Sequence, residues 1–400
     1  MARRSIAVSA LLLSLLASLA TPARGDDFLG DGFVLDDPTE GDDYANALAV
    51  GGDAFYVAGS DSASTPGRWR VEKRRLEDGA PAPGFGDGGT IVVDLPGTLN
   101  AVTALVVDGR SLFVVGHADG RLRIEKRRTA DGRRRRRFGH RGVVEFPGED
   151  VVGQSSRTAL VAGPHLYVGT ERGRVLKLRT EDGAVQRFDA PGAPGVSVTS
   201  LAARGGALYL ATATPRGFGF EKRGLQTGRL LRSLPVPVAP TGCIAEGANA
   251  LAVVDGTLLA GGGRKVGSWY VERRDARNGA LLWEVERPGI DCAAVEDIVV
   301  TGDSFFAVGQ RNFRLFIEKR RLADGALVEE FGNAGDLRGP LPQYSARAAA
   351  NVCGDLVVAG TMIWAEPRPA GTAWFVRRVH PATGAPVVTP RAGCAGQISD

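Results

Sequence analysis

The chain has 400 residues, of which 44% are hydrophobic and 24% charged, and its formal net charge is +4. That balance fits a folded soluble protein, and so small a positive excess does not point to nucleic acid. Glycine is abundant at 55 residues, as a chain of many strands and tight turns requires.

Arg3 and Arg4 precede an apolar run from Ser5 to Ala20 centred on Leu11-Leu12-Leu13-Ser14-Leu15-Leu16. This reads as a signal peptide over residues 1–20, with small residues for the peptidase at Ser18-Leu19-Ala20 and an alternative cut at Ala23-Arg24-Gly25. The run is short for a spanning helix, and no later segment is long enough to cross a bilayer. The expectation is therefore an exported protein, secreted or periplasmic.

Beyond this point one unit repeats. An apolar strand such as Ala47-Leu48-Ala49-Val50 leads to a second that usually ends in glycine: Gly59, Gly116, Gly169, Gly261, Gly309 and Gly360, with Thr212 in the fourth unit. A charged third strand then enters a turn, at Asp78-Gly79, Asp131-Gly132, Asp182-Gly183, Thr227-Gly228, Asn278-Gly279, Asp324-Gly325 and Thr383-Gly384. The turn glycines recur 45 to 59 residues apart. Such dipeptides mark hairpins because the turn needs positive φ.

Counting back from the turn glycine aligns the third strands. Eight residues back lie Val71, Ile124, Val175, Phe220, Val271, Ile317 and Val376, all apolar. On the opposite face, Glu and Arg occur together in five units: Glu72 with Arg74, Glu125 with Arg127, Glu221 with Arg223, Glu272 with Arg274 and Glu318 with Arg320. Leu176 and Leu178 replace both in the third unit, so the two positions share one environment. This predicts a Glu–Arg ladder between neighbouring strands or blades. Between them lies an unbroken basic series, Lys73, Lys126, Lys177, Lys222, Arg273, Lys319 and Arg378. It reads either as a belt for an anionic polymer or, more simply, as strand residues whose stems cover apolar surface.

Seven units of about four strands predict an all-β, seven-bladed β-propeller of four-stranded antiparallel blades. Leu29 to Asp36 resembles the end of a unit, and the last unit lacks that piece. An N-terminal strand closing the ring is the simplest reading, with Ala385–Thr389 as the rival fourth strand. The organisation expected is a signal peptide over 1–20, an N-terminal segment over 21–45, the propeller over 46–390 and a tail over 391–400.

Leu322 to Gly335, with its Asp324-Gly325, short spacer and Phe331-Gly332-Asn333-Ala334-Gly335, resembles the delta-60 repeat of exported bacterial proteins. The stretches Asp78 to Gly89 and Asp131 to Gly142 match similarly, whereas Asn278 to Trp283 is more like a quinoprotein-type repeat. The resemblance implies a propeller-like architecture outside the cytoplasm. It implies no defined chemistry and carries no catalytic residues.

Cys243, Cys292, Cys353 and Cys394 are expected to form disulfides, as an even number in an exported chain suggests. Of three pairings, Cys243–Cys292 with Cys353–Cys394 is preferred, because the first two sit at matching places before consecutive units. No catalytic set, cofactor or metal site is assigned. The four histidines share no register, and the acidic segment around Asp36, Asp37, Glu40, Asp42 and Asp43 lacks EF-hand spacing. Arg133 to Arg137 reads as a solvated edge or an anion patch.

The loops Ser60–Gly67 and Thr361–Thr372 are long and belong to units that meet in a closed ring. The second holds Trp364, Glu366 and Arg368, the candidate ligand-face residues. The expected function is a non-enzymatic binding or structural scaffold. Its partner would be an extracellular or periplasmic protein, peptide or glycan, with no nucleic acid and no membrane span, and the protein is expected to be a monomer. The alternative is a propeller oxidoreductase or carbohydrate-active enzyme with its site in the central channel.

Overall fold

The computed structural model describes residues 32–36, 42–61, 67–97, 100–149, 158–193, 195–214, 217–237, 247–263, 268–288, 293–338, 344–363 and 372–389. They form seven antiparallel sheets of four strands each. Blade one comprises Tyr44–Gly51, Ala54–Asp61, Arg68–Arg75 and Thr90–Val93. Its first strand is innermost. The innermost strands of the following blades are Asn100–Asp108, Ala159–Ala162, Ser197–Arg204, Gly247–Val254, Ala293–Thr301 and Tyr344–Val352. Each lies against the next around a common axis, and the last lies against the first.

The ring is closed by the N-terminal strand Phe33–Asp36. It pairs antiparallel with Thr372–Val379, placing Val34 opposite Val376. Pro386 makes only an isolated bridge to Val379. The first and last strands thus share one sheet, and Phe33–Asp36 rather than Thr372–Val379 is the outer strand of blade seven.

The apolar alternation of the third strands follows from burial. Val71, Ile124, Val175, Phe220, Val271, Ile317 and Val376 are all buried, and so are Trp69, Leu122, Phe218, Trp269, Leu315 and Trp374 two residues earlier. The hydrophobic clusters explain why the repeat is obligatory. Seven clusters occur, and each joins side chains from two adjacent blades. A single sheet has two oily faces and no core of its own, so it gains burial only by being pressed between neighbours.

The Phe-Gly step also works across blades. Phe85, Phe138 and Phe331 are fully buried. The following glycine donates its N–H to the turn carbonyl of the next blade: Gly86 to Asp131 at 3.2 Å, Gly139 to Asp182 at 2.8 Å and Gly332 to Thr383 at 3.0 Å. Gly86 has φ of 59°, and a Cβ there would lie 2.0 Å from the Thr90 carbonyl oxygen. No other residue fits that approach.

The Glu–Arg positions correct the expected ladder. Each pair forms within a single strand: Arg74 to Glu72 at 2.8 Å, Arg127 to Glu125 at 2.5 Å, and 2.7 Å for Arg223–Glu221, Arg274–Glu272 and Arg320–Glu318. Residues two apart share a face, so one strand suffices. Each arginine also donates to the carbonyl of its turn glycine, as Arg74 does to Gly79 at 3.1 Å and Arg320 to Gly325 at 2.6 Å. The arginine therefore braces the hairpin that its own strand enters.

Candidate functional site: the central channel and its mouth

Six innermost strands slip register by one residue near their start. The slips fall between Ala45 and Ala47, Val102 and Ala104, Val198 and Ser200, Ala248 and Ala250, Val295 and Asp297, and Ala346 and Ala348. The extra residues are Asn46, Thr103, Thr199, Asn249, Glu296 and Arg347. All are polar, and all but Arg347 are buried. A bulge leaves one residue out of the ladder and re-aims its side chain. In four blades a glycine near the end of the second strand admits the bulged backbone: a Cβ on Gly59 would meet the Tyr44 carbonyl oxygen at 1.7 Å, and one on Gly116, Gly309 or Gly360 a first-strand carbonyl oxygen at 2.1 Å.

These residues form a collar around the axis. Asn46 donates to the Val102 carbonyl at 3.1 Å, Thr199 to the Ala248 carbonyl at 2.6 Å, and Asn249 to the Glu296 carboxylate at 3.3 Å. Arg347 reaches the other Glu296 oxygen at 3.4 Å. Each contact links a blade to its neighbour. Beside the collar, Asp297 accepts the N–H of Ala349 at 2.6 Å, again across a blade junction. Asn46 Oδ1 and Arg347 Nε are buried without a hydrogen-bond partner among the described residues, leaving one acceptor and one donor in the collar.

Below the collar the channel wall mixes apolar side chains with the polar Asn46, Thr103, Arg347 and Asn351. Leu48, Leu105, Leu160, Leu201, Leu251 and Ile298 line a cavity of about 830 Å³. Among the described residues, no cluster of three or more His, Cys, Asp or Glu side chains is placed to hold a metal ion. The collar carboxylate, Glu296, is already engaged by Asn249 and Arg347. The arrangement suits holding a molecule by shape and hydrogen bonds.

The collar lies at the end of the channel where the innermost strands begin. The two long loops spring from the same end. Tyr44 pairs with Ser60, Trp374 donates its indole N–H to the Ser60 carbonyl at 3.1 Å, and Asp43 N–H donates to Thr372 at 3.0 Å. The bases of the loops are thus neighbours across the blade-seven to blade-one joint. Trp364, Glu366 and Arg368 lie outside the described residues. So do Cys243, Cys292 and Cys394, while Cys353 sits in the turn between the first two strands of blade seven with φ of 55°.

The basic series has no solvent belt. Lys126 donates to Thr180 at 2.6 Å, Lys177 to Gln226 at 2.9 Å, Lys222 to Ala276 at 3.1 Å and Arg273 to Leu322 at 2.6 Å, each to a backbone carbonyl of the next blade. Several ammonium groups also lie over the aromatic ring of their own blade's second strand, as Lys126 over Phe113 and Lys319 over Phe306. Burial pushes the Lys126 and Lys177 ammonium groups below their usual range. The four carbonyl-bound members of the series are latches between blades, whereas Lys73 pairs with Asp53 of its own blade at 3.2 Å.

Sequence reasoning missed the collar. Its signal was a polar residue interrupting an apolar strand, twelve or thirteen positions before the residue ending the second strand.

No family model and no curated protein matches the chain. Among solved structures it is similar to a computationally designed protein, Ika8, at 14% identity, covering 85% of this chain and 98% of that one with a TM-score of 0.47. Among the described residues no helix is long and apolar enough to cross a membrane.

Proposed function

We propose that the protein is an exported, non-enzymatic β-propeller that acts as a binding scaffold, its ligand meeting the channel face that carries the Ser60–Gly67 and Thr361–Thr372 loops. The collar supports this reading. Glu296 and Arg347 pair with each other, while Asn46 Oδ1 and Arg347 Nε stay open, so the mouth offers fixed hydrogen-bonding contacts to a ligand. Rigid scaffolds present binding residues on such loops. Trp364 would supply a stacking surface, with Glu366 and Arg368 beside it, for a glycan or peptide. Export rests on the residue 1–20 signal peptide, and the delta-60-like units fit such a location.

Purified mature protein is to be screened on glycan and peptide arrays, beside a W364A/E366A/R368A variant. Retention of a glycan or peptide by the parent and its loss in the variant is the expected result. No retention, or retention unchanged in the variant, overturns the proposal.

A further inference from the structure

We propose that an arginine-walled cavity on blade two binds a multiply charged phosphate- or sulfate-bearing ligand. Between Arg121 and Glu145 the chain carries eleven basic side chains against three carboxylates, in a protein whose whole net charge is only +4. Five of them, Arg128, Arg133, Arg134, Arg136 and Arg141, surround one open cavity of about 810 Å³.

The fold does not need arginine there. The segment after Gly132 has the same backbone as its counterparts in blades one and six. Arg134 bridges Arg127 as Pro81 bridges Arg74 and Leu327 bridges Arg320. Arg135 N–H donates to Lys126 at 2.8 Å, as Ala82 does to Lys73 and Val328 to Lys319, both at 2.9 Å. Proline, alanine, leucine and valine thus serve equally well in the sister blades. Phe138 anchors the segment in the core, so the cavity is built on rigid backbone.

The charge is also undercompensated. Arg128 and Arg133 share Asp131, and Arg134 turns to Glu125, which already holds Arg123 and Arg127. Arg136 and Arg141 have no ion-pair partner among the described residues. The crowding reaches Lys126, whose ammonium is depressed first by burial and next by Arg135.

Guanidinium forks match oxyanions bidentately, and several around one hollow favour a ligand with more than one charge. The described wall contains no aromatic side chain, so it lacks the stacking platform that single-stranded nucleic acid uses. The cavity lies at the turn end of the third strand, on the face opposite the collar, and is independent of the ligand site proposed there.

The test is calorimetric titration of the full mature chain with tripolyphosphate, with a heparin hexasaccharide and with oligo-dT, at low and physiological salt. One site for tripolyphosphate or the hexasaccharide is expected, weakened by salt; which of the two binds separates a phosphate from a sulfate source. The R133A/R136A/R141G variant should bind at least about tenfold more weakly, while R229A/R277A, altered on other blades, should bind as the parent does. If the triple variant misfolds, R133A/R134L/R135V/R136E/R137E, which installs the blade-six residues, replaces it. Failure of both anions to bind, binding unchanged in the variants, or tighter binding of oligo-dT at the same site overturns the proposal.

Discussion

The guanidinium of Arg378 donates to the carbonyl oxygen of Leu76 at 3.0 Å, joining the last blade to the first across 302 positions of sequence. It also donates to the Glu77 carbonyl at 2.7 Å and to the Asp355 carboxylate at 2.9 Å, and its side chain is fully buried. Lys126, Lys177, Lys222 and Arg273 make the same kind of latch within the ring. At the closing joint the latch is arginine with its own buried counter-ion.

Replacing Arg378 by Met removes the guanidinium from the buried Asp355 carboxylate. The expected loss is about 3–5 kcal/mol, the usual cost of breaking a buried pair from one side. Denaturant unfolding checks this, and R378M/D355V should recover part of the loss. A loss below about 1 kcal/mol would show the latch to be dispensable.

Closure by the N-terminal strand makes Val34 critical although it precedes the repeats. Val34 is 1% exposed and packs in the cluster between blades seven and one. Val34→Asp should detach the strand, lower the melting temperature and expose the edge of Thr372–Val379 to association. Light scattering and thermal unfolding report both effects. An unchanged melt with monomeric scattering would contradict this role for the strand.

The third blade does without the Glu–Arg pair, since Leu176 and Leu178 occupy those places and are buried. Glu72→Leu alone takes the carboxylate away from the nearly buried Arg74 guanidinium and should cost about 3–5 kcal/mol. The double variant E72L/R74L copies the third blade and should cost markedly less than the sum of its singles, in a double-mutant cycle. Simple additivity would mean the two side chains are uncoupled.

Acid should weaken blade two through Glu125. Burial alone would raise this carboxyl, but Arg127, Arg123 and Arg134 together outweigh it and hold it below the usual carboxylate range. A folded pKa below the unfolded value of about 4.3 contributes stability that is present above that value and lost as pH falls through the folded one. Stability measured downward from pH 5 should therefore fall less steeply in Glu125→Gln than in the parent. Parallel curves would refute this source of acid sensitivity.

The cysteine pairing is open to a direct reading. Peptide mapping of the protein purified without reductant is expected to find Cys243 joined to Cys292 and Cys353 to Cys394. Any other partner for Cys243 would exclude that pairing.

Some of this protein was decided locally and could be read from the chain. Asp-Gly and Asn-Gly turns, the alternation through Trp69 and Val71, and the tail-like segment ending at Asp36 report the blade count and the closing strand, because turn chemistry and period-two burial act over a few neighbouring residues. The Glu–Arg partnership was visible as a joint change to Leu, but its within-strand geometry was not. The collar and the latches were settled only in three dimensions. Asn46 finds the Val102 carbonyl, and Arg378 finds Leu76, because the ring brings backbone atoms of separate units within hydrogen-bond reach, a proximity that no local pattern encodes.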